Sequence, residues 1–496
     1  MIQSTLSVPT DTSQTRRVVI VGAGPGGVLA AILLLHRNST SSIQYHVTLI
    51  DDRDDYSNVS LEELSQHRSW MIGLACHGLT AIREVPGLFE NYISKVGVHL
   101  QSFSIHLGAK EIKSTDTSGN NEGYIVDRNY VVWALTNYLN DTFGNRTEQY
   151  QPRYNTKVLY IDSDNRRVLL RNDSSEEYLN YDIMLGCDGI RSVVRNAMQQ
   201  KERFFECRVS DIFNKFKAVH VEQPKNFDSG SMHLLPACLP NCNGIALPER
   251  GASVNISIGF YRHEECETQL QSDDPKVVAA YMEKHFKATK LVDYDDFARQ
   301  WCNQPWNSTG QVHCNFYHSE KVGAIIMGDA AHATSPSIGM GMNTALSDAA
   351  VLNRLLNEHN DNWVQVLPAF SKERVKEGRA LTDLAFYLFS MNKNQALKHL
   401  VVGLLRSTLT KYFPTWVWPD PQQDIGNGTK LSVVYERATK MGILSAVRQT
   451  NDALRQRYED ETLGMVTFDK SPRFTYTFAA AVAAAVGVAG LAYAWR

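Results

Sequence analysis

The segment Arg16-Arg17-Val18-Val19-Ile20-Val21-Gly22-Ala23-Gly24-Pro25-Gly26-Gly27 constrains this chain's fold more than any other. Val18 to Val21 is a short apolar run rich in β-branched residues, the pattern of a buried parallel strand. Glycines follow at Gly22, Gly24 and Gly27, Val28 to Arg37 reads as a helix, and a second apolar run, His46 to Ile50, ends in Asp51 and Asp52. Strand, Gly-x-Gly-x-x-Gly, helix, strand and acid together open a dinucleotide-binding α/β unit. Gly22 allows the tight turn, Gly24 lets a pyrophosphate approach the backbone, and Gly27 lets the helix pack close to the sheet. Free N–H groups at the helix N-terminus face the phosphates. Asp51 can accept hydrogen bonds from ribose hydroxyls and disfavours a 2′-phosphate. The tight ligand is therefore FAD or NAD rather than NADP.

The chain has 496 residues, enough for two large or three ordinary domains. A net charge of -3 excludes nucleic acid as the main partner. Eight cysteines are too sparse for a disulfide scaffold, and their spacing does not suggest zinc, so no metal is expected. Residues 1–15 read as a polar leader without the apolar stretch of a secretory signal.

The far end carries a second strong signal. Phe474 to Trp495 is 22 residues without a charge, preceded by Lys470 and Arg473 and closed by Arg496. A helix of that length spans about 33 Å, enough to cross a bilayer. The expectation is a tail anchor over 474–495 with the catalytic part cytosolic.

Three further motifs lie between the ends. Tyr181 to Arg195 runs an apolar strand into Asp188-Gly189, with a helix from near Ser192. Ala324 to Met327 runs into Gly328-Asp329, followed by a helix after Gly341. Arg128 opens a helix carrying Val131, Val132 and Leu135. From Phe204 to Tyr317 short alternating runs such as Ala252 to Ile258 suggest half-buried strands, and from Val364 the chain is strongly helical.

These markers, in this order, make residues 16 to 390 similar to the group A flavoprotein monooxygenases built on the p-hydroxybenzoate hydroxylase fold. Within them the run from Gly328-Asp329 through Pro336 to Gly339-Met340-Gly341-Met342-Asn343 resembles the kynurenine 3-monooxygenase family. The resemblance implies an α/β fold with a Rossmann-like FAD domain over 16–203 and 321–360. It also implies an antiparallel-sheet substrate domain over 204–320, a helical region over 361–470 and the transmembrane helix. It implies tightly bound FAD and transient NAD(P)H, with NADPH favoured. Asp51 and Arg53 would hold the adenosine end and Arg128 would lie near the flavin and its phosphates. Asp188-Gly189 would serve FAD and the nicotinamide cofactor, and Gly328-Asp329 the ribityl chain. Met342 and Asn343 would sit beside the isoalloxazine ring. The positive end of the helix after Gly341 would face the flavin edge where charge collects on reduction. The implied reaction is hydroxylation of an aromatic substrate by O2 through a flavin C4a-hydroperoxide. The implied location is the outer mitochondrial membrane, with the endoplasmic reticulum as the alternative.

The substrate shell departs from that family. His77 stands where an arginine holds the amino-acid carboxylate, which removes a bidentate clamp. Leu388 replaces an asparagine beside Tyr387, and Ser337-Ile338 replaces an aromatic pair. His77 and Tyr387 are candidate substrate contacts, although His77 reads equally as a buried packing residue. No catalytic residue is assigned. Alternatives are a membrane flavoenzyme of the same fold acting on a lipophilic substrate, an epoxidase or reductase, or a non-catalytic flavin-bound scaffold.

Overall fold

The computed structural model describes residues 15–459, apart from 67–68, 108–109, 116–121, 174, 226, 236–242, 261–265, 287–292 and 414–415. Met1–Asn451 forms one compact unit and Asp452–Arg496 another. In the second, Arg455 and Asp452 pair at 2.8 Å across one helical turn.

The first strand, Thr15–Val21, is central in a six-stranded sheet. The order is His318–Ser319, Ala324–Ile326, Ile183–Gly186, Thr15–Val21, Gln44–Ile50 and Tyr150–Arg153. All neighbours are parallel except the His318–Ser319 edge. Val18, Val19 and Ile20 are buried in succession, which is why the strand reads as a continuous apolar run. Thr15, expected in the leader, instead opens this strand. The helix Pro25–Arg37 begins at proline, whose missing N–H costs nothing in the first turn. Every residue of it but His36 is buried.

A seven-stranded sheet runs in the order Asn307–Cys314, Cys207–Glu222, Ser253–Phe260, Asn243–Pro248, Ser231–Leu234, Ser102–Leu107 and Lys110–Thr115. This corrects the expected purely antiparallel sheet confined to 204–320. Two of its strands come from residues 102–115, and Ser231–Leu234 pairs with Ser102–Leu107 in parallel. A parallel pair needs a long crossover, so its partners are far apart in sequence. The run Ser102-Phe103-Ser104-Ile105-His106 alternates polar and apolar residues, as a half-buried strand does, but no local pattern assigns it to this sheet. Phe297 and Trp301 of the helix Tyr294–Asn303 pack with Val254, Ile256 and Ile258 into one core cluster. On the sheet's other side, Met232, Ile245 and Leu247 meet Met71 and Ile125. These last two belong to a small antiparallel sheet of Met71–Leu74, Gly123–Asp127 and Val98–Leu100.

The expected helical region holds Trp363–Tyr387, Lys393–Tyr412, Pro421–Gly426, Leu431–Lys440 and Ile443–Tyr458. Among the described residues no helix is long and apolar enough to cross a membrane. The expected anchor at 474–495 lies outside the described residues.

Candidate active site

The three fingerprint glycines have distinct surroundings. Gly22 has φ +103°, and a Cβ there would lie 2.3 Å from the Cys187 carbonyl oxygen. A Cβ on Gly27 would lie 2.1 Å from the Gly22 oxygen, so helix and turn are in direct contact. Gly24 has no heavy atom within 4 Å of its Cβ position, leaving open space above its backbone. Neither bulk nor backbone strain explains a glycine at Gly24, but close approach by a ligand does.

Two helices point uncapped N-termini into this region. Gly24 precedes Pro25–Arg37 and Met340 precedes Gly341–Glu358, and neither end has a side-chain cap. Side chains cap other helices, at Asp127, Ser192, Asp293, Asn362 and Asn392, whereas Cys76–Arg83 and Leu431–Lys440 are also uncapped. The first N–H groups of a helix have no partner within it, so an uncapped end suits an anion or a carbonyl oxygen. The two helices pack closely, with the Gly26 Cβ position 3.0 Å from the Ala345 oxygen.

The charged residues surround these ends in different states. Asp51 closes Gln44–Ile50 and is buried. Its carboxylate accepts Ala23 N–H at 2.6 Å and pairs with Arg53 Nε at 2.9 Å and Nη2 at 3.1 Å. Burial pushes its pKa up, but hydrogen bonds and charge from Arg53 outweigh this and hold it below the ordinary value. Arg128 opens the helix Arg128–Phe143 and lies over the Trp70 ring at 5.4 Å, with no carboxylate partner among the described residues. Asp329 is exposed at the start of Asp329–His332 and likewise unpaired there. The preceding Gly328 has φ +58°. Asp188 directs one oxygen to the N–H of Val193 at 2.7 Å, while its other oxygen is buried without a partner. Burial raises its pKa. Gly189, at φ +74°, has nothing near its Cβ position.

Gly341 begins the second helix, with only Thr334 Cγ2 at 4.0 Å from its Cβ position. Met342 is half-buried against the main core. The Asn343 side chain is fully buried and ties three segments together. It accepts Ala75 N–H at 2.8 Å and donates to the Gly73 oxygen at 2.8 Å and the Gly339 oxygen at 3.0 Å. Its amide is thus engaged, and its backbone remains for a ligand.

His77 lies just beyond, in the helix Cys76–Arg83. Its Nε2 faces the Thr429 carbonyl oxygen at 3.0 Å, so that nitrogen carries the proton. Its Nδ1 is buried without a partner. Burial is the main reason its pKa falls below the usual value, leaving a neutral ring whose Nδ1 lone pair is an acceptor. Tyr387 is buried at the end of Trp363–Tyr387, clustered with Met340, Leu381, Leu384 and Ile425. The Arg448 guanidinium covers its ring at 4.5 Å.

Sequence reasoning missed one group of residues. Asp348 is fully buried and accepts Gly328 N–H at 2.9 Å, contacts His332 Nε2 at 2.8 Å and pairs with Arg374 Nε at 2.5 Å. Burial alone would raise its pKa, but Arg374 and His332 hold it at about 2. A signal was present: Asp348 interrupts the apolar stripe Ala345, Leu346, Ala349 and Leu352, so it faces inward and needs a buried partner. His332 Nε2 is thereby engaged by Asp348.

A family model described as FAD binding domain matches residues 15–385. Among curated proteins, a kynurenine 3-monooxygenase of Sus scrofa is 28% identical, covering 76% of this chain and 77% of its own length. One of Cryptococcus neoformans is 26% identical, covering 83% and 84%. Violacein synthase of Chromobacterium violaceum is 24% identical, covering 75% and 84%. Among solved structures, P. aeruginosa PqsL in complex with 2-aminobenzoylacetate superposes with TM-score 0.58 at 16% identity, covering 75% of this chain and 95% of that one. The 2-methyl-3-hydroxypyridine-5-carboxylic acid oxygenase superposes with TM-score 0.57 at 16% identity, covering 83% and 96%. The open backbone at Gly24, the uncapped helix ends and the unpaired Arg128 and Asp329 fit the cofactor these matches imply. The chain belongs to the FAD-binding domain family and is an FAD-dependent monooxygenase.

Proposed function

We propose that this chain is an NAD(P)H-dependent aromatic hydroxylase related to the kynurenine enzymes, with a substrate pocket of different chemistry. In this reading Asp51 and Arg53 hold the adenosine of FAD, and Gly22, Gly24 and Gly27 admit its pyrophosphate. Arg128, Asp188, Gly189, Gly328 and Asp329 surround the phosphates and ribityl chain. The backbone of Gly341, Met342 and Asn343 faces the flavin ring. Bound FAD, reduced by NADPH, supplies the oxygen-activating chemistry. The chain's own task is to bind and orient the ring and to exclude water. Met71, Ile125, Met232, Ile245 and Leu247 supply an apolar wall between the seven-stranded and the small sheet.

The observation that carries the pocket reading is the orphaned Nδ1 of His77. A buried acceptor without a partner is costly unless a ligand satisfies it. With Nε2 committed to Thr429, His77 offers a neutral acceptor rather than a cation. The favoured substrate is an aromatic compound bearing an N–H or O–H donor, and carboxylate recognition weakens relative to an arginine clamp. NADPH oxidation by the FAD-loaded protein tests this, with L-kynurenine compared against ring amines and phenols lacking the amino-acid carboxylate. Equal or stronger stimulation by the latter supports the reading. Stimulation by L-kynurenine alone, unchanged in His77→Ala, overturns it.

Membrane attachment is part of the same proposal. Val401, Val402, Leu405, Leu409 and Tyr412 are exposed along one arc of the helix Lys393–Tyr412, and Phe413, Trp416 and Trp418 extend it. Exposed apolar and aromatic groups on one helical face suit a bilayer interface. This supports a membrane-bound enzyme held additionally by the uncharged run at 474–495. The outer mitochondrial membrane is favoured over the endoplasmic reticulum.

A further inference from the structure

Three adjacent strands of the seven-stranded sheet each place one metal-ligating side chain on the same face. Glu111 of Lys110–Thr115 lies directly opposite His106 of Ser102–Leu107. On the other side of His106, Ser231–Leu234 runs parallel, with Ser104 opposite His233. Residues two apart on a strand share a face, so Ser104, His106, His233 and Glu111 project together. The ligand atoms of Glu111, His106 and His233 all lie within 4.8 Å of one another.

The two histidines are buried and Glu111 is exposed, which leaves an entry path from solvent. His106 Nε2 and His233 Nδ1 face each other at 2.9 Å, with the rings stacked at 5.2 Å. His233 Nε2 lies 3.1 Å from the Asp228 carbonyl oxygen, which fixes the proton on Nε2 and leaves Nδ1 as a lone pair. A second ring nitrogen donating to a backbone carbonyl is the usual support of a metal-bound imidazole. Burial is the main cause lowering the pKa of both rings, so both are neutral and able to ligate. In a tetrahedral zinc site, bonds of about 2.0–2.1 Å set neighbouring nitrogens about 3.3 Å apart. Opening the pair from 2.9 Å needs only about 0.4 Å, within side-chain adjustment. Ser104 Oγ, on the same face and fully buried, has no hydrogen-bond partner. A water at the remaining coordination position would serve it.

We propose that His106, His233 and Glu111 form a site for a divalent transition cation, zinc by ligand type, that clips three strands of this sheet together. On binding, the His106 proton moves from Nε2 to Nδ1 and its Nε2 lone pair turns to the ion. His233 Nδ1 and a Glu111 oxygen complete three protein ligands, and water fills the open position. The site lies on the face opposite Met232 and so is separate from the proposed flavin pocket.

The test is titration of the chelator-treated, FAD-loaded protein with Co2+ and Zn2+. The expected result is one equivalent of Co2+ with tetrahedral ligand-field bands beyond the flavin absorption, displaced by Zn2+. Zn2+ should also raise the melting temperature. Glu111→Gln, an exposed change that leaves the core intact, should weaken binding at least about tenfold. His233→Gln should abolish the ligand-field bands. Absence of stoichiometric binding, or binding indifferent to both substitutions, overturns the proposal. Should His233→Gln fail to fold, Glu111→Gln decides alone.

Discussion

The carboxylate of Asp348 accepts the backbone N–H of Gly328 at 2.9 Å and so fastens the Gly-Asp turn to the helix Gly341–Glu358. The same carboxylate holds His332 and Arg374, all three side chains being buried. Asp348→Asn leaves Arg374 without its counter-charge in the interior. The expected loss is about 3–5 kcal/mol of stability, read by denaturant unfolding of the apoprotein.

The same group sets an acid limit. Asp348 has a folded pKa of about 2, below its unfolded value. Its stabilisation is therefore complete above about pH 4 and is lost as pH falls toward 2. Unfolding curves of the wild type and Asp348→Asn should converge over that window. A constant gap between pH 6 and pH 2 would contradict the assignment.

Two glycine substitutions should separate folding from cofactor binding. A Cβ on Gly27 would sit 2.1 Å from the Gly22 oxygen, so Gly27→Ala displaces the helix and should lower apoprotein stability as well as FAD content. A Cβ on Gly24 meets no protein atom. Gly24→Ala should leave the apoprotein melting temperature within about 2 °C while weakening FAD binding at least about tenfold. Equal effects of both changes on the apoprotein would count against a ligand above Gly24.

His77 should impose a pH dependence on substrate binding. Burial favours the neutral ring, so its protonation begins below the ordinary histidine range. Between pH 8 and 7 the substrate KM should be flat, and it should rise as the pH falls and Nδ1 gains a proton. The rise should vanish in His77→Gln, with kcat changing less than KM. A KM that falls on acidification would show His77 acting as a cation.

The exposed face of the helix Lys393–Tyr412 gives a test independent of catalysis. Leu405→Asp combined with Trp416→Asp removes apolar contact from two well-exposed positions. In a chain lacking residues after 471, co-sedimentation with liposomes should drop severalfold, and FAD content should hold. Unchanged sedimentation would place the attachment of the shortened chain on another surface and contradict a role for this face.

The fingerprint, the central parallel sheet and the helix after Gly341 were legible because each rests on local pattern: β-branched runs, glycine spacing and helical periodicity. The place of the strand Ser102–Leu107 was not, because its parallel partner lies more than 120 residues on and no local pattern joins the two. The Asp348 clamp unites residues from three segments, and no local rule pairs them. Asn343 was singled out for its place beside a flavin. Its actual bonds to Gly73, Ala75 and Gly339 depend on tertiary packing. His77 was left open between packing and substrate contact. Only the fold shows one ring nitrogen bonded and the other bare.

The most direct test of the central claim is oxygen transfer by the FAD-loaded protein with NADPH under 18O2, across a panel of ring amines, phenols and L-kynurenine. The account predicts a ring-hydroxylated product carrying one 18O atom, formed only with NADPH and accompanied by substrate-stimulated NADPH oxidation. A protein that retains FAD but oxidises NADPH at the same rate with every ring compound, and places no 18O in any of them, would contradict it.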